Sequence, residues 1–337
     1  MNITDRRYKG FALVEEMLET SGVVGQLSVP DIQSVSEAIK YPDVLLTGEG
    51  SSRIFPAKKT IYDAHRLRYN ERIYSDAATQ ALEYDLSLTT VFVASNSGRT
   101  NECVRLINEL KSRGHDSIVG VVANDRTPVI QLADRGCLLT CRRENAVAAT
   151  KSVVEQALFY DILFRTRNSR PVPNLARLSE LLQETMRAAV PPSMIEAMAA
   201  AGTVYFAGRN DGVAEELTLK TNEITRKKSD FLEGTYAVHG IEEVMDRGDV
   251  VIIIDPFPEE EAKFSEVLEK GVGMKVFAIS SRESRFPTLS VPSMSEFGSY
   301  VQLVAGWSLL VEAGIELGIN LDRPVRARKV GNEYPGR

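Results

Sequence analysis

Cysteine and histidine are scarce in this chain, and each scarcity closes off a class of chemistry. Three cysteines, Cys103, Cys137 and Cys141, are too few for a disulfide framework in 337 residues. Cys137 and Cys141 share a strand-like GCLLTC at a spacing that allows a pair, but buried free thiols are the expected state in a cytoplasmic protein. Three histidines, His65, His115 and His239, stand far apart without HxxxH or HExxH spacing, so no metal is expected unless carboxylates alone hold one. No apolar run nears the roughly 18 residues of a membrane-spanning helix. The opening stretch, MNITDRRYKGFALVEEM, carries charge where a secretion signal needs an apolar core. A net charge of −6 argues against general nucleic-acid binding, while leaving room for a local basic pocket. The expectation is a cytoplasmic protein with neither nucleic acid nor membrane as partner.

What is present is regular alternation. Strand patterns at 43–47, 90–94, 117–122, 203–207, 250–254 and 275–280 are separated by helical ones, which predicts an α/β protein with parallel sheets. The stretch RNSRPVPN (167–174) interrupts the pattern, and a helix-like segment over 175–188 follows it, then Pro191 and Pro192. The two sides of this break look alike. DVLLTGEGSS (43–52) parallels TVYFAGRNDG (203–212), TVFVASNSGRT (90–100) parallels DVVIIIDPFPE (249–259), and DSIVGVVAND (116–125) parallels MKVFAISSRE (274–283). The repeat predicts two tandem doubly wound parallel-sheet domains of flavodoxin-like type. Their expected limits are a helical segment at 1–40, a first domain at 41–168, a linker helix at 169–193, a second domain at 194–320 and a tail at 321–337.

In TVFVASNSGRTNECVRLI (90–107), a buried strand breaks into Ser95, Asn96, Ser97, Gly98 and Thr100. It then restarts as a helix with Val104, Ile107 and Leu110 on one stripe. A turn of hydroxyls, an amide and free N–H groups at a helix N-terminus suits a phosphate. It also suits a plain N-cap cluster. The second copy has Asp255, Glu259, Glu260 and Glu261 at the matching place, which would repel a phosphate, so an anion site belongs to the first half. GEGSS (48–52) is another turn after a strand. It lacks the third glycine of a dinucleotide fingerprint, but in a doubly wound sheet Ser51 and Ser52 would lie at the strand ends where ligands collect.

Taken in order, GxGSS, SNSGRTNE and ENAVAATKS (144–152) resemble the sugar isomerase (SIS) domain family, and in particular the isomerase half of glucosamine-6-phosphate synthase. EELTLKTNEI (215–224), VHG (238–240) and DRPVRARKV (322–330) extend the likeness from about residue 40 to 330. The resemblance implies a sugar phosphate bound by Ser52, Ser95, Asn96, Ser97 and Thr100. Gly50, Ser51 and the backbone of Val147 and Ala149 would meet the sugar, with Ala149 standing where the synthase has serine. It further implies Glu223 as the carboxylate that moves a proton between C1 and C2, and Lys220 and Glu216 as its companions. His239 would be the ring-opening histidine, supplied across a homodimer interface, and Lys329 the tail lysine, with the tail over the active site. No cofactor is implied. Two departures stand out: Tyr236 replaces a glutamate three residues before the histidine, and with the first SIS strand already at residue 43 the expectation is a protein without a glutaminase domain.

The chemistry is consistent with those residue types. Glu216, Lys220 and Glu223 fall at i, i+4 and i+7, on one helical face. Such a face is otherwise an exposed salt-bridge stripe. An enediol mechanism needs a carboxylate base, a cation for the developing oxyanion, and an acid–base of near-neutral pKa to open the ring, which a histidine supplies. Without the resemblance, His239 reads as structural and Lys329 as part of a solvated basic tail. The expected function is conversion of an amino-sugar 6-phosphate of the glucosamine 6-phosphate type to fructose 6-phosphate and ammonia. The alternatives are a fructosamine-6-phosphate deglycase, a simple aldose–ketose phosphate isomerase, and a sugar-phosphate-binding regulator without catalysis.

Overall fold

Strands rich in Val, Ile, Leu and Phe, with few polar side chains, are stable only where both faces are covered. The protein has two sheets of such strands. The structure, a computed structural model, describes residues 1–2 and 4–335. In the first sheet β1 is Asp43–Thr47, β2 Arg72–Tyr74, β3 Thr89–Ser95, β4 Ile118–Val122 and β5 Arg135–Leu138, in the order β2-β1-β3-β4-β5. In the second, β6 is Thr203–Gly208, β7 Lys228–Glu233, β8 Val250–Ile254, β9 Lys275–Ser280 and β10 Thr288–Ser290, in the order β7-β6-β8-β9-β10. Every pairing is parallel, with registers such as Val44↔Thr90 and Val204↔Val250. Both sheets therefore wind in the same doubly wound order, each with a switch point between its first and third strands, where ligands bind in this architecture. This is an α/β fold of two tandem doubly wound parallel-sheet domains.

Within the first sheet the pleat sorts side chains to two cores. Val44, Leu46, Phe92 and Ala94 face one, together with Tyr160 and Phe164; Leu45, Val91 and Val93 face the other, with Cys103, Val104 and Ile107. The helix Lys151–Arg167 is buried almost all round. It brings Asp161 and Arg165 to Lys59 and Asp63 of the helix Ile54–Leu67, with Lys59 2.7 Å from Asp63 and 3.2 Å from Asp161, and Arg165 2.5 Å from Asp63.

The six strands expected from sequence are present. Of the four edge strands, β2, β7 and β10 carry no such signal, because an edge strand pairs on one side only and their composition (RIY, KSDFLE, TLS) is polar or short. The expected linker helix is Leu175–Arg187, followed by Pro192–Ala200. Cys137 lies in β5 while Cys141 lies past its end, and all three cysteines are free and buried. Burial pushes the Cys137 thiol up to about 11. Contacts divide the chain into two compact units. One, called the first unit below, is Gly22–Asn145 with Ala149–Ala176 and Arg326–Arg337; the second is Met1–Ser21 with Ala146–Ala148 and Arg177–Val325. The stretches 1–40 and 321–337 are each shared between the units, since packing, not chain order, decides membership. No helix among the described residues is long and apolar enough to cross a membrane.

Candidate active site

In the first unit β3 ends at Ser95 and the helix Asn101–Ser112 begins at once. The hydroxyls between them do not cap the helix: Thr100 precedes its first turn but makes no side-chain cap bond. They bind one another instead. Ser95 Oγ lies 2.9 Å from Thr100 Oγ1 and 3.4 Å from Ser97 Oγ. Gly98 N–H donates to Ser95 Oγ at 3.0 Å and Arg99 N–H to Ser97 Oγ at 3.1 Å. Gly98 makes the turn possible. Its φ is +64°, and a Cβ there would stand 2.1 Å from Thr127 Oγ1. On the other side of the turn, Asn124 Nδ2 donates to the Asn96 carbonyl at 2.8 Å.

The turn after β1 lies against the end of β3, for a Cβ on Gly48 would come within 2.7 Å of the Ala94 carbonyl. Gly50, with φ +55°, opens the short helix Gly50–Ser52. Ser51 is buried, and the Ser52 carbonyl accepts Gln156 Nε2 at 2.6 Å. Two acids that the motif reading passed over flank this corner. Glu49 accepts the Ala78 N–H at 3.1 Å. Burial first, and the Glu102 charge second, raise its carboxyl above the usual range.

A third overlooked acid, Glu144, opens the ENAVAATKS stretch and is 1 % exposed. It accepts Asn96 Nδ2 at 3.1 Å, Thr150 N–H at 2.7 Å, Thr150 Oγ1 at 3.2 Å and the Ser152 hydroxyl, and Lys329 Nζ is 4.0 Å away. Its place six residues before Thr150 was visible in sequence, but not its partners. Ala149 is half-buried just ahead of Thr150, whereas Val147 groups with the second unit, where Ala146 N–H donates to the buried Glu16 carboxylate at 3.2 Å. The tail of the first unit also reaches the turn. Asn101 N–H donates to the Asn332 carbonyl at 2.9 Å, Tyr334 N–H to the Arg99 carbonyl at 2.8 Å, and Thr100 and Glu333 form an antiparallel bridge.

In the second unit the helix Val213–Ile224 brings Glu216, Lys220 and Glu223 together. Lys220 Nζ stands 3.4 Å from Glu216 and 2.7 Å from Glu223. The side chains of Glu216 and Lys220 are wholly buried, and that of Glu223 is 23 % exposed. This is not a solvated stripe: a buried ammonium sits between two carboxylates, only one of which opens to solvent. His239 is exposed, with Nε2 3.1 Å from Thr235 Oγ1 in the same unit, and Tyr236 is 50 % exposed. At this unit's own switch point, Arg209 donates to the Asp255 carbonyl at 2.5 Å and to its carboxylate at 2.9 Å, and lies 4.2 Å over the Phe257 ring.

Comparison with known proteins follows the same lines. Residues 43–165 match the SIS domain. No curated protein matches the chain. Among solved structures, the glucosamine-6-phosphate deaminase of Thermotoga maritima is similar over 95 % of this chain and 99 % of its own, at 19 % identity and a TM-score of 0.77. The tagatose-6-phosphate ketose/aldose isomerase of Escherichia coli is similar over 97 % and 100 %, at 15 % identity and 0.78. The C-terminal domain of glucosamine-fructose-6-phosphate aminotransferase from Francisella tularensis is similar over 95 % and 100 %, at 15 % and 0.74. At these identities the likeness is one of fold.

Proposed function

With residues 43–165 a SIS domain, we propose that this protein is a sugar-phosphate isomerase or deaminase acting on an amino-sugar 6-phosphate of the glucosamine 6-phosphate type. The observation that carries the reading is the Glu216–Lys220–Glu223 array, in which a wholly buried lysine holds a partly open carboxylate at 2.7 Å. Burying that ammonium carries a desolvation cost, which the two carboxylates beside it offset. In this reading Ser52, Ser95, Asn96, Ser97 and Thr100 take the phosphate, and Gly50, Ser51, Val147 and Ala149 meet the sugar. His239 opens the ring, and Glu223 carries the C2 proton to C1 while Lys220 balances the charge on oxygen. The imine so formed gains water and loses ammonia, leaving the ketose phosphate. Lys329 contributes a cation from the tail. Exposure of His239 fits its donation to a second copy of the chain in a homodimer.

A second reading, a fructosamine-6-phosphate deglycase, uses the same proton shuttle and releases an amino acid instead of ammonia; half-exposed Tyr236, where the family synthase has glutamate, alters the surroundings of C1 and C2 in either case. The test is to incubate the pure protein with glucosamine 6-phosphate and follow ammonia and ketose phosphate together. Equimolar release is expected, and Glu223→Gln should lower it about 100- to 10,000-fold, the usual range for a general acid–base. An amine-free aldose 6-phosphate converted to its ketose, with glucosamine 6-phosphate untouched, would leave only isomerisation. Neither product would move the proposal to fructosamine 6-phosphates.

A further inference from the structure

One buried carboxylate has no part in the reaction just described. Glu144 is 1 % exposed and enclosed by protein donors. Its Oε1 accepts from the N–H and hydroxyl of Thr150, which secures the start of the helix Lys151–Arg167. Its Oε2 faces three donors of separate origin: Asn96 Nδ2 of the hydroxyl turn at 3.1 Å, the Ser152 hydroxyl, and the Lys329 ammonium of the tail at 4.0 Å. Helix capping accounts for Oε1. It does not account for a full charge, because a neutral side chain would serve Thr150 without the cost of burying an anion. The charge is accounted for by the cation it faces.

We propose that Glu144 is a positioning residue that seats the tail lysine, Lys329, beside the phosphate turn and thereby holds the tail across it. The tail segment it steadies is the one whose Asn332 carbonyl takes the Asn101 N–H and whose Tyr334 N–H reaches the Arg99 carbonyl. The purpose of this device rests on the sugar-phosphate reading. A phosphate that engages Asn96 removes one donor from Oε2, and the Lys329 ammonium is placed to compensate the loss. Occupancy of the turn and seating of the tail are then coupled through one carboxylate.

Amide hydrogen exchange of the full chain, read by mass spectrometry, tests this without any assay of turnover. The peptides to follow cover residues 99–102, 150–156 and 330–335. Glu144→Gln should speed exchange about three- to tenfold in the first and last, the range of a partly exposed charged contact. Residues 150–156 should hold, since the glutamine oxygen still accepts from Thr150. Lys329→Met should reproduce the change, and the double variant should exceed neither single. Inorganic phosphate should slow exchange at 330–335 in the wild type and not in Glu144→Gln. An unchanged tail in Glu144→Gln, acceleration confined to 150–156, additive effects in the double variant, or no response of the wild type to phosphate would each overturn the proposal. Should Glu144→Gln fail to fold, Lys329→Met decides alone, because its side chain is 25 % exposed; a tail that stays protected in it refutes the inference. Failure of the deaminase assay leaves these readouts unaffected, so the two proposals fall separately.

Discussion

Several buried acids of this protein have a cation beside them. Glu216 has Lys220, Glu144 faces Lys329, and Asp63 has Lys59 and Arg165. For Asp63, burial by itself would raise the carboxyl, but the two neighbouring cations outweigh it and hold it below the usual carboxylate range. The sign follows from linkage. A carboxyl that binds protons less readily folded than unfolded adds stability above its ordinary value, near pH 4, and that stability is lost as pH falls towards its folded value. Urea midpoints measured from pH 7 to pH 2 should therefore fall steeply below about pH 4 in the wild type. Asp63→Asn should flatten that limb, and at pH 7 it should cost about 3–5 kcal/mol, because it removes one of two carboxylates between buried cations. An unchanged acid limb would show that the network does not set acid stability.

Among the elements, the helix Val213–Ile224 depends on a close crossing with Gly298–Glu316. Gly306 lies at that crossing, and a Cβ there would stand 2.4 Å from Leu217 Cδ2 and 2.5 Å from Cδ1. Alanine would gain about 1 kcal/mol of helix propensity and lose about 1–3 kcal/mol to overpacking, so overpacking wins. Gly306→Ala is expected to lower the unfolding temperature and also turnover, since Leu217 is one residue from Glu216 and three from Lys220. Adding Leu217→Val, which withdraws the two δ-methyls that set the clash, should recover both. Loss of stability with turnover intact would mean that this crossing does not position the array.

The whole molecule repeats one doubly wound sheet, yet its two switch points differ. In the first unit the strand ends carry the hydroxyl turn. In the second they carry Arg209, bonded to Asp255 and lying over Phe257, with Arg282 3.7 Å from Asp255. Arg282 also stands 3.0 Å from Glu261, so two arginines meet two carboxylates and leave no net charge for a phosphate. Calorimetric titration with glucosamine 6-phosphate should give one equivalent bound per chain; two would place a site in the second unit as well.

By itself the sequence determined the elements that are buried on both faces or striped on one. The strands β1, β3, β4, β6, β8 and β9, the helix after Ser95 and the repeat of the two halves all follow from runs of apolar residues at periods that few alternatives satisfy. It also marked the Ser95–Thr100 turn and the shared face of Glu216, Lys220 and Glu223, because both are local in the chain. Only the tertiary structure decided the rest. The edge strands β2, β7 and β10 take their pairing from a neighbour rather than from their own composition. Glu144 lies 48 residues from Asn96, and Asn332 some 230 from the helix start it covers; these partners meet through packing, which no periodicity encodes. Whether the acidic face was solvated or buried, and whether the hydroxyls capped a helix or bound each other, depended likewise on what folded against them. A side chain's charge and reach are written in the chain, but its solvent is supplied by the fold.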